Sequence, residues 1–328
     1  MEENFYLGVD VGSVSTNLVL IDEDGMVHEK LYLKTCGNPM ETLRDGLRRI
    51  LERCGSQGII KGAGATGSGR QLASMLMGAD VVKNEITAHA VAASQVMPDV
   101  RTILEIGGQD SKIIFLKNGI VCDFAMNTVC AAGTGSFLDR QAARLNIPIE
   151  EFGGYALHAQ NPVRIAGRCA VFAESDMIHK QQTGHCCEDI IAGLCEALVR
   201  NYLNNLAKGK TIEEPILFQG GVAANVGIVA AFERILRKKV IIPRHYDVMG
   251  AYGAALLAKE EMEENGGETR FRGFERLREE FDLKSVECKG CSNHCEVVEM
   301  NAKGQVMACW GDRCGKWSSL SVRGPTEI

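Results

Sequence analysis

The feature that most constrains the fold of this chain is an internal repeat of three strands joined by two turns. Residues 5–33 and residues 101–124 each have the pattern of strand, glycine-containing turn, strand, tight turn and strand. When the two copies are laid over one another, Glu105 falls near Asp10. A duplication at this scale fixes the architecture more firmly than any single element does. It predicts an α/β chain built from two similar lobes.

The first turn of each copy is rich in glycine and hydroxyl residues, and a turn of this kind offers backbone N–H groups to a phosphate. Asp10, at the end of the first strand, would face the same point and could hold Mg²⁺ through water. Gln109 or Asp110 could place the attacking water for nucleotide hydrolysis. Two such turns facing each other predict a phosphate clamp between two lobes. The turn residues assigned to it are Gly12, Ser13, Val14, Ser15, Thr16, Gly107, Gly108 and Gln109.

A third glycine-containing turn follows the strand predicted over residues 215–218. It leads directly into a helix predicted over residues 225–236. A double glycine between a strand and a helix lets the backbone approach a ligand closely. We expect this turn to hold the adenosine end of the nucleotide. The residues assigned to that role are Gly220, Gly221, Val222 and Asn225.

Two cysteines stand immediately before predicted helices. Cys130 precedes the small residues 131–135 and a helical pattern, and Cys169 precedes a helix that runs to about Gln182. The positive end of a helix dipole favours the thiolate, which is the form that binds metals. Two cysteines cannot complete a four-cysteine iron–sulfur site, but two chains around a two-fold axis can. We therefore hypothesise one [4Fe–4S] cluster shared by Cys130 and Cys169 of two subunits. The alternative is that both are small buried residues.

Composition limits the environment and the partners. The formal net charge of −6 gives no reason to expect nucleic acid or an acidic membrane surface as a partner. No run is apolar and long enough for a membrane span, and the N-terminus lacks the apolar core of a signal peptide. These features predict a cytoplasmic chain. Thirteen cysteines are many for such a chain, and disulfides are rare in that compartment, so metal binding or redox chemistry is favoured.

The motifs taken together resemble known families. The segments at residues 10–16, 107–110 and 218–225 occur in the order typical of the actin/Hsp70/sugar-kinase ATPase fold, which consists of two duplicated ribonuclease-H-like lobes. With Val129–Gly135 and Gly167–Phe172 added, the chain resembles the activators of 2-hydroxyacyl-CoA dehydratases and the ATPase subunits of benzoyl-CoA reductases. The likeness covers roughly residues 5–260.

The resemblance implies a homodimer of anaerobic metabolism with one bridging [4Fe–4S] cluster on Cys130 and Cys169. MgATP binding and hydrolysis would drive a low-potential electron into an iron–sulfur partner. That partner would be a 2-hydroxyacyl-CoA dehydratase or a related double-cubane-cluster protein, and ferredoxin or flavodoxin would be the electron donor. Nothing in this sequence identifies the acceptor or its substrate.

The C-terminal part contains a second group of cysteines with metal-ligand spacing. They are Cys288, Cys291, Cys295, Cys309 and Cys314. Fourfold thiolate coordination fits zinc or a second iron–sulfur cluster, and we lean toward the cluster because the resemblance implies electron transfer. A cluster would relay electrons from a donor, whereas zinc would make the segment a docking module. The remaining alternative is a set of free thiols.

We expect three units in the chain. Residues 1–95 would form the first lobe, with a helix over residues 249–263 packing back on it. Residues 96–248 would form the second lobe with the cluster cysteines, and residues 264–328 a small Cys-rich extension. Two other functions stay open. A small-molecule kinase would have the same fold and no iron, and a non-catalytic redox or metal sensor would have negligible ATP turnover.

Overall fold

Two five-stranded sheets form the framework of the protein in the computed structural model, which describes residues 3–54, 58–273, 281–302, 305–314 and 316–317. The strands of the first sheet, in spatial order, are β3 (Val27–Lys34), β2 (Ser15–Ile21), β1 (Glu3–Val11), β4 (Gly58–Thr66) and β5 (Val81–Val82). β1 pairs antiparallel with β2, which pairs antiparallel with β3. On its other side β1 is parallel to β4, and β4 is parallel to β5.

The second sheet repeats this topology. Its strands, in spatial order, are β8 (Ile120–Asn127), β7 (Ser111–Lys117), β6 (Thr102–Ile106), β9 (Ile216–Gln219) and β10 (Val240–Ile241). β6 takes the place of β1, with antiparallel β7 and β8 on one side and parallel β9 and β10 on the other. The predicted fold class, an α/β chain with two duplicated lobes, is confirmed.

Most helices cover one sheet each. The helices are α1 (Pro39–Cys54), α2 (Arg70–Met77), α3 (Glu85–Val96), α4 (Gly135–Leu145), α5 (Ile149–Leu157), α6 (Ala170–Gln182), α7 (Cys187–Leu206), α8 (Val226–Leu236) and α9 (Met249–Asn265). α1 and α2 pack on the first sheet, and α4 to α8 build a core with the second. α1 is helical because its apolar residues Leu43, Leu47 and Ile50 recur at helical spacing, and all three are buried.

α3 and α9 lie between the two sheets. α9 packs on β1, β2 and β4, α3 packs on α9, and the opposite side of α3 contacts β7 and β8. Apolar residues of both sheets and both helices share one buried cluster there. α9 approaches β1 so closely that a Cβ on Gly8 would lie 1.9 Å from the carbonyl oxygen of Ala251. Small residues at this contact therefore let the helix reach the backbone of the sheet.

A third, antiparallel sheet forms the C-terminal extension. Its strands, in spatial order, are β11 (Asp282–Glu287), β12 (Glu296–Ala302) and β13 (Gln305–Trp310). Met300 of β12 is buried against Leu72 of α2, so this sheet packs on the helices of the first sheet. The chain that leads to it is anchored by Asp80, whose carboxylate accepts hydrogen bonds from Thr269 Oγ1 at 2.7 Å and the backbone N–H of Arg270 at 2.6 Å.

The first phosphate turn is shorter than predicted. Ser15 and Thr16 already belong to β2, and Thr16 pairs with Val11. The hydroxyl of Thr16 is buried 3.1 Å from that of Thr35, which fixes it inside the sheet. The loop between the strands is therefore Gly12-Ser13-Val14. Among the described residues, no helix combines the length and apolar character that crossing a membrane requires.

Candidate functional site

A cleft of about 280 Å³ opens between the two sheets. Both phosphate turns and the third glycine turn contribute to its wall, so the structure brings together residues from three distant parts of the sequence. The predicted site residues that line the cleft are Asp10, Gly12, Ser13, Val14, Ser15, Gly107, Gly108, Gln109, Asp110, Gly220 and Gly221. The repeat in the sequence thus corresponds to two turns that face each other.

Three predicted nucleotide-binding residues are not among the residues that line the cleft. Thr16 is buried in β2 as described above, and Val222 belongs to the core of the second sheet. Asn225 begins α8, where its Oδ1 accepts hydrogen bonds from the backbone N–H groups of Gly227 and Ile228. Its role in the structure is a helix cap.

Asp10 sits where the first turn of α9 meets the end of β1. A Cβ on Gly250 would lie 2.1 Å from Asp10 Oδ2, and one on Gly67 would lie 2.5 Å from Oδ1. Glycine at both positions therefore leaves the carboxylate its place. Burial raises the pKa of Asp10 to about 7. The negative charges of Glu85 and Asp110 also raise this pKa, whereas the positive charge of Lys112 lowers it.

Lys112 is the centre of a buried ionic cluster in the cleft. Only 3% of its side chain is exposed, and its Nζ lies 2.7 Å from Glu85, 3.1 Å from Glu105 and 2.7 Å from Asp110. Glu105 stands directly opposite Lys112 in the β6–β7 ladder. Glu85 instead begins α3, three residues after β5 of the first sheet. One ammonium group thus joins the two halves of the cleft.

Burial sets the protonation of this cluster. It raises the pKa of Glu105 to about 8 although the ammonium of Lys112 opposes the shift. Burial alone would lower the pKa of Lys112, but the three carboxylates outweigh it, and the pKa is raised. At neutral pH Lys112 is therefore charged, and the pKa values of Glu105 and Asp10 both lie far above their ordinary range.

His89 joins the same two halves one helical turn after Glu85. Its Nδ1 lies 2.8 Å from Nε2 of Gln219, which ends β9 of the second sheet. Burial lowers the pKa of His89 to about 3, so the ring is neutral at physiological pH. The i, i+4 spacing of Glu85 and His89 puts both on one face of α3, which is directed at the second sheet.

The charge of the cleft favours a divalent cation beside any bound phosphate. Among the described residues that line it, Lys112 is the only ammonium or guanidinium group, and five residues are carboxylic acids. These acids are Asp10, Glu85, Glu105, Asp110 and Asp247. Carboxylate oxygens and water are the ligands that Mg²⁺ prefers. Asp10, which is next to the first phosphate turn, could therefore hold the predicted magnesium ion through water.

The two helix-start cysteines belong to the second sheet's helical layer. Cys169 is the residue before α6, and Cys130 precedes a short 3₁₀ turn that leads into α4. Both thiols are partly exposed. Glu174 of α6 lies 2.9 Å from Arg140 Nε and 2.5 Å from Arg144 Nη1, and both arginines belong to α4. Two ion pairs thus join the two helices that follow the cysteines.

Amide side chains fix the loops of both cysteines. Asn127 accepts a hydrogen bond from the backbone N–H of Cys130 at 2.9 Å and donates to its carbonyl oxygen at 2.8 Å. Asn201 Nδ2 lies 3.9 Å from Cys130 Sγ and donates to the carbonyl oxygen of Gly167 at 2.6 Å. Gly167 is two residues before Cys169, so one amide contacts both cysteine loops. Two thiols per chain on ordered loops fit half of a four-thiolate cluster.

Exposed apolar side chains flank both cysteines. The side chains of Val129, Val171 and Phe172 are 94%, 66% and 66% exposed, and each is within three residues of Cys130 or Cys169. An exposed apolar patch at such a position is typical of a protein–protein contact.

Of the five tail cysteines, Cys309 lies within a strand, and the other four lie outside the strands of the third sheet. The backbone N–H of Cys288 donates to the carbonyl oxygen of Cys295 at 2.8 Å, at the end of the β11–β12 hairpin. A Cβ on Gly311 would lie 2.5 Å from the carbonyl oxygen of Glu296 at the same end, and Cys314 follows three residues later in the chain. Cys291 lies in the loop between β11 and β12. Cys309 is buried inside the sheet opposite Glu299.

Hydrogen bonds from the backbone of Gly290 and the side chain of Trp317 lower the pKa of Cys288. Within the described ranges, however, no three His, Cys, Asp or Glu side chains are gathered closely enough to hold a metal ion. The tail metal site and the roles of its cysteines stay predictions.

Sequence reasoning assigned no role to Lys112. It noted the metal-like i, i+4 spacing of Glu85 and His89 but favoured a polar helix face, although all three residues line the cleft. One signal for Lys112 was present, since it is a charged residue near the start of the apolar strand Ser111–Lys117. A charge at a position that is buried in the sheet requires a partner. The partners themselves could not be deduced, because Glu85 comes from an element 27 positions earlier.

Comparisons with known proteins agree with this geometry. The model of the BadF/BadG/BcrA/BcrD ATPase family matches residues 7–258. The chain is 35% identical to the 2-hydroxyisocaproyl-CoA dehydratase activator of Clostridioides difficile over 273 residues, 81% of this chain and 99% of that protein. It is 33% identical to the (R)-2-hydroxyglutaryl-CoA dehydratase activating ATPase of Acidaminococcus fermentans, over 77% of this chain and 96% of that protein.

A solved structure is similar as well. The activator of the 2-hydroxyisocaproyl-CoA dehydratase from Clostridium difficile with bound ADPNP superposes with a TM-score of 0.71 and 33% identity, over 80% of this chain and 96% of that one. The family match ends at residue 258, before the Cys-rich extension begins.

Proposed function

The chain belongs to the BadF/BadG/BcrA/BcrD ATPase family, and on that premise we propose that it is an ATP-dependent one-electron activator. It would couple the binding and hydrolysis of MgATP to low-potential electron transfer from a dimer-bridging [4Fe–4S] cluster to an iron–sulfur partner enzyme. One observation carries the proposal. The same sheet supports a wall of an acidic, glycine-lined cleft and a pair of ordered cysteines that each precede a helix.

Within the cleft, the two phosphate turns would bind the phosphates of ATP through backbone N–H groups. Gly220 and Gly221 would let the backbone approach the adenosine end. Asp10 would hold Mg²⁺ through water, and Gln109 or Asp110 would orient the water that attacks the terminal phosphate. The products of that step are ADP and inorganic phosphate. The ADPNP bound to a relative of similar fold supports a nucleotide in this cleft.

Cys130 and Cys169 of two chains would hold the cluster, which supplies a one-electron carrier. The residues of this chain fit that role in three ways. The thiols precede helices, Asn127 and Asn201 order their loops, and exposed Val171 and Phe172 supply an apolar surface for a second chain. A homodimer is thus part of the proposal.

Coupling requires nucleotide to bind one arrangement of the two lobes better than another. We take the lobes as residues 1–95 and 96–248, with the helix over 249–263 on the first lobe. For a one-electron step, about 59 mV corresponds to about 1.4 kcal/mol. Several kcal/mol of nucleotide binding energy would therefore change the driving force by roughly a few hundred millivolts.

The named activities of the relatives suggest an acceptor of the 2-hydroxyacyl-CoA dehydratase type. A double-cubane-cluster protein is the related possibility, and ferredoxin or flavodoxin would supply the electron. The extension at residues 264–328 would bind zinc or a second cluster and serve docking or electron relay. Free thiols and ATP chemistry suit a cytoplasmic location.

The proposal is tested by activation of a purified 2-hydroxyacyl-CoA dehydratase. The protein, a chemical one-electron reductant and MgATP are mixed anaerobically with the dehydratase, and reduction of the dehydratase is followed by electron paramagnetic resonance. We expect reduction that requires MgATP and fails with Cys130→Ser. Cys122→Ser is the matched control, because Cys122 lies on β8 and its sulfur hydrogen-bonds the carbonyl oxygen of Phe115. Phosphorylation of a small molecule by an iron-free protein would instead support the kinase.

A further inference from the structure

The proposed function leaves open how the nucleotide cleft is connected to the cysteines. We infer that Tyr202 and Asn201, adjacent residues of α7, are positioning residues that link the two sites. This inference rests on the proposed function, because it needs a nucleotide at one end and a metal cluster at the other. It is carried by a continuous set of buried contacts.

The first contact is at the cleft. The hydroxyl of Tyr202 donates a hydrogen bond of 2.5 Å to the backbone carbonyl oxygen of Lys112. Tyr202 is 1% exposed, and its ring packs edge-on against Phe232. The tyrosine therefore holds β7 at the residue whose ammonium binds Glu85, Glu105 and Asp110.

The second contact is at the cysteines. Asn201 is 4% exposed, and its Nδ2 donates to the carbonyl oxygen of Gly167 and lies 3.9 Å from Cys130 Sγ. Its Oδ1 accepts a hydrogen bond of 3.0 Å from Asn205 Nδ2, which fixes the direction of the amide. A Cβ on Gly133 would lie 2.8 Å from that Oδ1. The loop after Cys130 is therefore fitted to this side chain.

The two contacts are made by successive residues of one helix. α7 spans 20 residues and most of its side chains are buried in the core of the second sheet. Arg200, the preceding residue, donates a hydrogen bond of 3.0 Å to the carbonyl oxygen of Ile165. Three consecutive residues of α7 are therefore hydrogen-bonded to β7 or to the loop before Cys169. A packed helix moves as a unit, and a shift of β7 would reach both cysteine loops through it.

Nucleotide binding changes the charges around Lys112. A bound phosphate adds negative charge beside the ammonium, and a divalent cation draws on the same carboxylates. Either change alters the forces on Lys112, whose backbone is bonded to Tyr202. Asn201 then changes its contact with Cys130 Sγ. Hydrogen bonds to the sulfurs of a cluster are among the factors that set its reduction potential.

The experiment is a redox titration of the anaerobic holoprotein, monitored by electron paramagnetic resonance. The midpoint potential is measured with MgADP and with a non-hydrolysable MgATP analogue, in the wild type and three variants. Tyr202→Phe removes one hydroxyl at nearly constant volume, and Asn201→Ala removes the amide. Asn204→Ala is the matched control, because Asn204 is an exposed asparagine on the same helix.

The two positions predict different signatures. Tyr202→Phe should reduce the difference between the two nucleotide states to less than half of the wild-type value, with little change in the MgADP potential. Asn201→Ala should lower the potential in both states, because the reduced cluster loses a hydrogen-bond donor. Asn204→Ala should match the wild type. Direct binding of the MgATP analogue checks that Tyr202→Phe still loads nucleotide.

Several outcomes would overturn the inference. If Tyr202→Phe keeps the full nucleotide-dependent difference, the helix does not carry it. If Asn201→Ala keeps the wild-type potentials, the amide does not act on the cluster. A wild type with a cluster but no nucleotide-dependent difference also removes the link. A wild type without iron contradicts the proposed function itself, and the inference fails with it.

Discussion

Replacing Lys112 by methionine tests the ionic cluster of the cleft most severely. The substitution keeps the length of the side chain and removes the ammonium that three carboxylates share. Breaking a buried ion pair from one side leaves an uncompensated buried charge, which costs about 3–5 kcal/mol. We therefore expect the loss of this one buried positive charge to lower the free energy of unfolding substantially.

The exposures of the three partners set the size of that loss. Glu105 is 5% exposed and can hold a proton instead of a charge, because burial already raises its pKa to about 8. Glu85 and Asp110 are 19% and 33% exposed, so water can solvate part of their charge. Both facts favour the lower end of the range, about 3 kcal/mol at pH 8. Glu105 is protonated at pH 5.5 and partly ionised at pH 8, so the loss should be smaller at pH 5.5.

Urea unfolding of Lys112→Met and of the wild type at pH 8 and pH 5.5 measures this difference. Lys30→Met is the matched control. It breaks the ion pair between Lys30 and Asp247, whose side chains are 37% and 22% exposed. The free energy of unfolding should fall by no more than about 1 kcal/mol at either pH. A loss in Lys112→Met below about 1 kcal/mol, or one that is equal at the two pH values, would refute the reasoning.

Two further predictions concern the same cleft. Because Glu105 has a folded pKa of about 8 against an ordinary 4.5, the free energy of unfolding should fall as pH rises from 6.5 to 8, and Glu105→Gln should flatten this slope in urea titrations. His89 makes the free energy of unfolding rise with pH, but only below its ordinary pKa of 6.5, so it does not cancel the fall between pH 6.5 and 8. A wild type with equal stability at pH 6.5 and pH 8 would contradict this prediction. Gly250→Ala would place a Cβ 2.1 Å from Asp10 Oδ2 and should lower the kcat of MgATP hydrolysis at least about tenfold. Gly154→Ala has open space around its Cβ and is the control, and an unchanged kcat in Gly250→Ala would count against the role of Asp10.

The duplicated topology could be predicted from the sequence because its signals are local. Apolar strands, glycine turns and their order appear within each copy, and the observed strand pairs follow them. The two phosphate turns line the cleft as predicted, because a turn that directly follows a strand lies at the edge of the sheet. Their lining residues include Gly12, Ser13, Gly107 and Gly108.

The rest of the site depends on contacts between distant elements. Lys112 gains its carboxylate partners only when β7 pairs with β6 and α3 approaches from the first sheet. Thr16 and Asn225 were assigned to nucleotide from their place in a motif, whereas the structure gives their side chains partners in the fold. Cys309 shows the same limit, because its buried position opposite Glu299 depends on the pairing of β13 with β12 and not on the spacing of the cysteines.

The central claim is that two chains share one cluster through Cys130 and Cys169. The most direct test is the iron and sulfide content of anaerobically purified protein, with zinc measured alongside and electronic spectra before and after MgATP. The account predicts about four irons and four sulfides per two chains, with a spectrum that is lost in Cys130→Ser. About twelve irons would add a cluster in each extension. No iron under strictly anaerobic handling would contradict the account.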